Sequence, residues 1–224
     1  MTIEVRAVDR FDQVRFKGPG TLRITQCDDE SLTIHAPRYV LENIESVVDK
    51  GVLRLGYVNP KIISLRVHKE VISYDLKMKD VRRLTLSGSG RVVIPDLDND
   101  HVSVDVSGSG QVLLDQLTAD RFDARISGLG GIQVVGDVEV QSIIISGSGN
   151  YLAEKLISDF SDIKVTGSGN GTVTVNDELS VAISGSGTVS YSGYPDIYKR
   201  ITGSGKIVRR RKQSEKSSEG KEHG

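Results

Sequence analysis

A four-residue motif, Ser-Gly-Ser-Gly or a close variant, recurs along this chain and limits the folds open to it. It begins at Ser87, Ser107, Ser127 (as SGLG), Ser146, Thr166 (TGSG), Ser184 and Thr202 (TGSG), in steps of 20, 20, 19, 20, 18 and 18 residues. A degenerate eighth copy, KGPG, begins at Lys17. A period near 20 residues marks one structural unit stacked on its neighbours.

Aligned on the motif, the copies show what each unit buries. The preceding residue is aliphatic every time: Leu86, Val106, Ile126, Ile145, Val165, Ile183 and Ile201. Two positions earlier stand Leu84, Val104, Ala124, Ile143, Ile163, Val181 and Lys199, and the residues between are mostly polar. This alternation predicts a strand with one face in a core. The segment after the motif repeats it, with inward columns Val92, Val112, Ile132, Tyr151, Gly171, Val189, Ile207 and Ile94, Leu114, Val134, Ala153, Val173, Tyr191, Arg209. Lys199 and Arg209 at the C-terminal end suit a last repeat with one side in water.

Strand–bend–strand units could form an antiparallel meander or a parallel coil. Leu97, Leu117 and Leu156, each ten residues after its motif serine, decide between them. A leucine at the tip of an exposed hairpin is wasted, whereas at the inner corner of a coil it is buried. The expected fold is therefore all-β: a right-handed parallel β-helix (solenoid) of roughly 20-residue coils with Gly-Ser-Gly bends. About ten coils at the inter-strand spacing would give a rod on the order of 45–50 Å long. The bends need glycine for positive φ and for close stacking of backbones. The expected structural bend residues are Gly88, Gly90, Gly108, Gly110, Gly128, Gly130, Gly147, Gly149, Gly167, Gly169, Gly185, Gly187, Gly203 and Gly205. The middle serine is replaced by Leu129 and Pro19, so serine chemistry is not what the repeat maintains.

Residues 1–80 look like less regular coils, continuous with the regular repeats of 81–208. Within them "PRYVLENIESVV" (37–48) spaces Val40 or Leu41, Ile44 and Val48 as a helical turn would, and "KGVLRLGYV" returns to strand. From Lys206 onward seven basic residues face three acidic ones, and no apolar residue follows Val208; residues 209–224 are expected to be a disordered charged tail. Tryptophan is absent and aromatic residues make up 5% of the chain, as suits short strands and tight turns. No apolar run is long enough for a transmembrane helix, and "MTIEVRAVDRF" lacks the apolar stretch of an export signal. The single cysteine, Cys27, excludes an internal disulfide.

The order "FDQVRFKGPGTLRITQ", "GVLRLGY", the SGSG series, "SGSGNYLAEKL" and "VSYSGYPDIYKRITGSGKIV" resembles the bacterial head-GIN domain, the "putative auto-transporter adhesin" family, over residues 3–208. The resemblance implies a β-helical, non-catalytic domain of envelope or exported proteins, usually carrying an N-terminal export or lipoprotein signal.

No catalytic set emerges beside it. "TGSGKIV" (202–208) fails as a phosphate-binding loop, because Arg200 stands where a glycine is needed and Ile207 follows Lys206. His35, His68, His101 and His223 are scattered singly, and Cys27 has no histidine near it. Asp105, Asp123 and Asp162 fall on one outer face, Asp123 and Asp162 two rungs apart at roughly 9–10 Å, the edge of what an inverting glycosidase uses. Small polar or basic neighbours, such as Arg125 beside Asp105, make them a solvated sheet face instead. The basic run Arg209–Lys212 has no interleaved aromatic and gives no strong nucleic-acid signal. Tyr191, Tyr194 and Tyr198 cluster near the last coil, as a cover for the core end or as an aromatic recognition patch.

The expected function is a non-catalytic, adhesin-like interaction module at the bacterial cell envelope, needing no cofactor and binding an unidentified protein or glycan. A self-assembling scaffold, hence a homo-oligomer, is the alternative, and a polysaccharide-active β-helix enzyme comes third.

Overall fold

Alternating inward aliphatics and outward polar residues place each strand of this chain between a core and water, and the strands stack accordingly. The computed structural model describes residues 1–57 and 72–210. The chain is nearly all β, a solenoid of stacked parallel coils of about 20 residues. There are about 6 turns rather than the expected ten. The shortfall lies at the N-terminal end, where several strands pair as hairpins and caps instead of completing coils.

The regular coils begin with β8 (Arg83–Gly88), β9 (Arg91–Ile94) and β10 (Leu97–Asp98). They continue through β11 (His101–Gly108), β12 (Gln111–Gly128), β13 (Gly131–Gly147), β14 (Asn150–Gly167) and β15 (Asn170–Gly185). β16 (Thr188–Ser192), β17 (Asp196–Gly203) and β18 (Lys206–Arg209) close the series. Motif serines stack in register, Ser87 on Ser107 on Ser127 on Ser146. Repeats of 19 and 18 residues keep that register by losing residues elsewhere. The pairing shifts between Leu114 and Leu117, and again between Ala153 and Ile157, both at the corner away from the bend.

As far as Val189 the inward columns are buried as the alternation predicts, Ile201, Lys199 and Arg209 of the last repeat are exposed, and Leu97, Leu117 and Leu156 are fully enclosed. One stretch of the core is polar. The Tyr151 hydroxyl donates to Gln141 Oε1 at 2.9 Å, Gln141 Nε2 donates to Ser158 Oγ at 2.7 Å, and Ser158 Oγ donates to the Thr174 carbonyl at 3.3 Å. Gly171, paired with Tyr151 on the next rung, leaves room for the large ring, which stacks against Phe122 at 6.5 Å.

The first strands are β1 (Thr2–Arg6), β2 (Gln13–Lys17), β3 (Thr21–Gln26) and β4 (Ser31–Ala36). The predicted helical turn is only α1 (Arg38–Leu41), and Ile44 and Val48 lie instead on β5 (Ile44–Asp49). A tight turn at Lys50 and Gly51, with φ of 52° and 78°, pairs β5 antiparallel with β6 (Val52–Tyr57). Two consecutive positive-φ residues are the hairpin geometry whose twist matches the strands, so hairpin pairing overrides the helical spacing. β7 (Ser73–Met78) follows.

The KGPG segment does stack under the motif, Lys17 pairing with Ser87. Its coil is out of sequence order, however. β2 lies between β6 and β8, and β3 between β7 and β9, so the earliest coil is wedged between two later ones. Beyond β7, antiparallel β4 and then β1 end the stack. Arg6 ties that end together, donating to the carbonyls of Ile44 and Leu41 and to Ser46 Oγ, and pairing with Glu4 at 2.7 Å. Strands that reverse direction with a charged tie deny the N-terminal edge to further stacking.

Candidate binding site

The described part of the last coil runs just past β18, where the Arg210 amide donates to the Tyr191 carbonyl at 2.7 Å. Beside it, residues of successive coils line a ledge, an open depression of about 850 Å³. Its walls are Ile157, Thr174, Asn176, Tyr194, Arg209 and Arg210. Gly193, at φ +101°, aims Tyr194 outward; a side chain there would collide with the Val175 carbonyl.

Tyr194 is 89% exposed, and the Arg209 guanidinium carbon lies 3.9 Å from its ring centroid. That geometry is a cation–π contact, which holds the arginine over the ring. Arg210 is paired with Glu154 at 2.9 Å, and Thr174 Oγ1 donates to the Glu154 carbonyl. Asn176 Nδ2 donates to Asp159 Oδ1 at 3.1 Å, leaving its Oδ1 as an acceptor. Two shallower depressions, of about 250 and 170 Å³, extend the ledge. The first shares Arg210 with it, and the second shares Gln133 and Leu152 with the first. The second is flanked by Leu129, 70% exposed at its bend, and by Asn150, which accepts from Asn170 Nδ2.

The tyrosines named from sequence divide here. Tyr191 packs against the core, whereas Tyr194 and Tyr198 are exposed. Arg209 closes β18 and Arg210 is hydrogen-bonded, so the head of the expected tail is ordered; residues 211–224 lie outside the described residues. At the bends, the first glycine of every motif from Gly88 to Gly203 has positive φ. The second glycine of each faces the carbonyl of an adjacent coil's glycine.

The outer-face carboxylates sit where the alternation predicts, with Ser142 between Asp123 and Asp162. Each has a cation: Arg121 and His101 at 2.9 and 2.7 Å from Asp123, Lys164 at 3.2 Å from Asp162, and Arg83 at 4.0 Å from Asp105. His101 Nε2 is hydrogen-bonded to Asp123 Oδ2. Burial raises the Asp123 carboxyl, but hydrogen bonds from Arg121 and His101 outweigh it and hold the group below the usual range. His35 lies 3.2 Å from Asp75, while His68 and His223 fall outside the described residues. Cys27 Sγ contacts the Asp29 carbonyl. Among the described residues no cluster of three or more His, Cys, Asp or Glu could hold a metal, and no helix is long and apolar enough to cross a membrane.

Asp123→Asn is expected to cost about 1 kcal/mol or less at neutral pH, the range of a partly exposed ion pair. A depressed carboxylate stabilises the fold above its unfolded value near pH ~3.9 and loses that contribution as pH falls through the folded one. The gap between variant and parent should therefore close in acid. Urea titrations at pH 7 and near pH 3 check this; a gap that widens in acid would contradict the assignment.

A family model described as "Putative auto-transporter adhesin, head GIN domain" matches residues 10–195. The chain belongs to the head GIN domain family. Solved structures similar to this head GIN chain include a putative adhesin from Bacteroides fragilis, at 22% identity and TM-score 0.87 over 93% of this chain and 96% of that one. A putative adhesin from Parabacteroides merdae matches at 17% and 0.74, covering 94% and 96%. A putative lipid binding protein from Parabacteroides distasonis matches at 22% and 0.76, also covering 94% and 96%. At these identities the likeness shows the solenoid fold. No curated protein matches the chain.

Proposed function

We propose that this head GIN chain is a non-catalytic, adhesin-like interaction module of the bacterial cell envelope, working without a cofactor and binding its ligand along the ledge. The observation that carries this reading is the ledge itself: an 89% exposed tyrosine fixed by an arginine, opening into a groove across successive coils. Family membership and the cations on Asp123 and Asp162 support binding over turnover. The bend glycines are structural in this reading, and the coils of both halves of the chain serve as one scaffold.

The test presents purified protein to immobilised polysaccharides and extracellular matrix proteins. A bound ligand should be recovered at its original size after long incubation. Tyr194→Ala should weaken capture by about tenfold or more, the scale of an interface anchor. Full capture by that variant, or a shortened ligand, would overturn the reading.

One observation favours the scaffold alternative. All eight residues of β17 are exposed, and among the described residues β17 pairs only with β15, so its other edge is unpaired there. Lys199, Arg200 and Lys206 line that end and oppose a second, equally basic copy. Sedimentation at rising protein concentration separates the two readings.

A further inference from the structure

Among the described residues the ledge holds a cation without an acidic partner. Arg210 is neutralised by Glu154, but among the described residues Arg209 has no acidic partner; its contact is the face of Tyr194. A stacked guanidinium keeps its N–H groups free at the edge of its plane, where they match the two oxygens of a carboxylate. One uncompensated charge suits a singly charged group better than a dense run of sulfates.

The remaining walls suit a sugar more than a peptide. Thr174 and Asn176 offer oxygens, and Tyr194 offers an aromatic wall of the kind pyranose faces stack on. A peptide that extends the sheet pairs its main chain with a free strand edge. β16, the strand leading into the ledge, is paired with β15 on one side and β18 on the other, while among the described residues the free edges at this end belong to β17 and β18. The volume of about 850 Å³ falls within the range of ordinary small-ligand sites.

We propose that the ledge binds a carboxylated glycan, with a sugar carboxylate on Arg209 and an adjoining ring against Tyr194. This rests on the ledge being the binding site, and it adds the ligand class. Arg209 supplies charge recognition, Tyr194 supplies the wall, and Asn176 Oδ1 accepts from a ring hydroxyl.

Titration calorimetry with trigalacturonic acid tests it, using the methyl-esterified trisaccharide, a neutral dextran trisaccharide and sulfated dextran as comparators. The free acid should bind the parent protein about tenfold or more tightly than its ester, the worth of a charge-assisted bidentate pair. Arg209→Gln should remove that preference and its salt dependence, and Arg209→Lys should recover part of it. Tyr194→Leu should weaken acid and ester alike. All three substitutions are on exposed side chains, and unchanged circular dichroism confirms their folding. Equal binding of acid and ester, a preference for the sulfated or neutral polymer, no binding to any probe, or an acid preference that survives Arg209→Gln would each overturn the proposal. If Tyr194→Ala still abolished capture in the panel while no uronate bound, the ligand class alone would fall and the ledge would stand.

Discussion

Replacing Gly147 by valine should destabilise the protein by about 3 kcal/mol or more, while Ser148→Ala in the same motif should cost about 1 kcal/mol or less. Gly147 has φ +119°, where a β-branched residue is strained, and a Cβ there would lie 2.8 Å from the Gly128 carbonyl oxygen and 3.1 Å from its amide nitrogen. Neither neighbour can retreat without disturbing the adjacent bend. Ser148 is exposed, and its structural contribution is its amide, which donates to the Gly128 carbonyl at 3.0 Å and survives in alanine. Gly149 is constrained differently. Its φ is ordinary, but a Cβ would come within 2.6 Å of the Gly130 oxygen and press on the Ile126 side chain. The two glycines of a bend thus answer separate demands, one conformational and one steric. Urea denaturation of both variants beside the parent decides the matter; a greater loss from Ser148→Ala would make the serines, not the glycines, the basis of the repeat.

Gln141→Leu should cost about 2–3 kcal/mol, although leucine is the more apolar residue. Gln141 is fully buried between the Tyr151 hydroxyl and Ser158, and removing its amide strands the tyrosine hydroxyl at 0% exposure. Burial pushes that hydroxyl well above its ordinary value, so it remains a donor at every pH where the protein is handled. Adding Tyr151→Phe removes the orphan and should restore about 1 kcal/mol or more, leaving the double variant more stable than Gln141→Leu alone. A double variant less stable than the single one would mean that the ring, rather than the hydroxyl network, carries the energy of this site.

The regular coils were legible in the sequence because Leu84, Leu86, Val92 and Ile94 and nearly all their counterparts up to Val189 keep the alternation, and alternation reports directly which face is buried. Even the degenerate motif at Lys17 found its register opposite Ser87. The N-terminal end was not legible. The pattern of β2 says that Val14 and Phe16 point inward, but an inward face does not specify which strand lies alongside. Nor could spacing alone show that Ile44 and Val48 belong to a hairpin, since the positive φ of Lys50 is a property of the turn and not of lysine. Tyr194 and Arg209 were each visible as residues. Their juxtaposition depends on the turn at Gly193 that carries Tyr194 to the end of β18, which the motif spacing does not encode.

The wedged first coil makes the two ends of the molecule respond differently to tension. A pull on the C-terminus meets β18 and β17, each bonded along one edge only, and can peel them away strand by strand. A pull on the N-terminus detaches β1 and then meets β2 and β3, each bonded along both edges. Those two must be drawn out from between neighbours that come later in the chain. A surface protein tethered through its N-terminus would therefore transmit load into the interior of the stack, and one tethered through its C-terminus would yield at the rim.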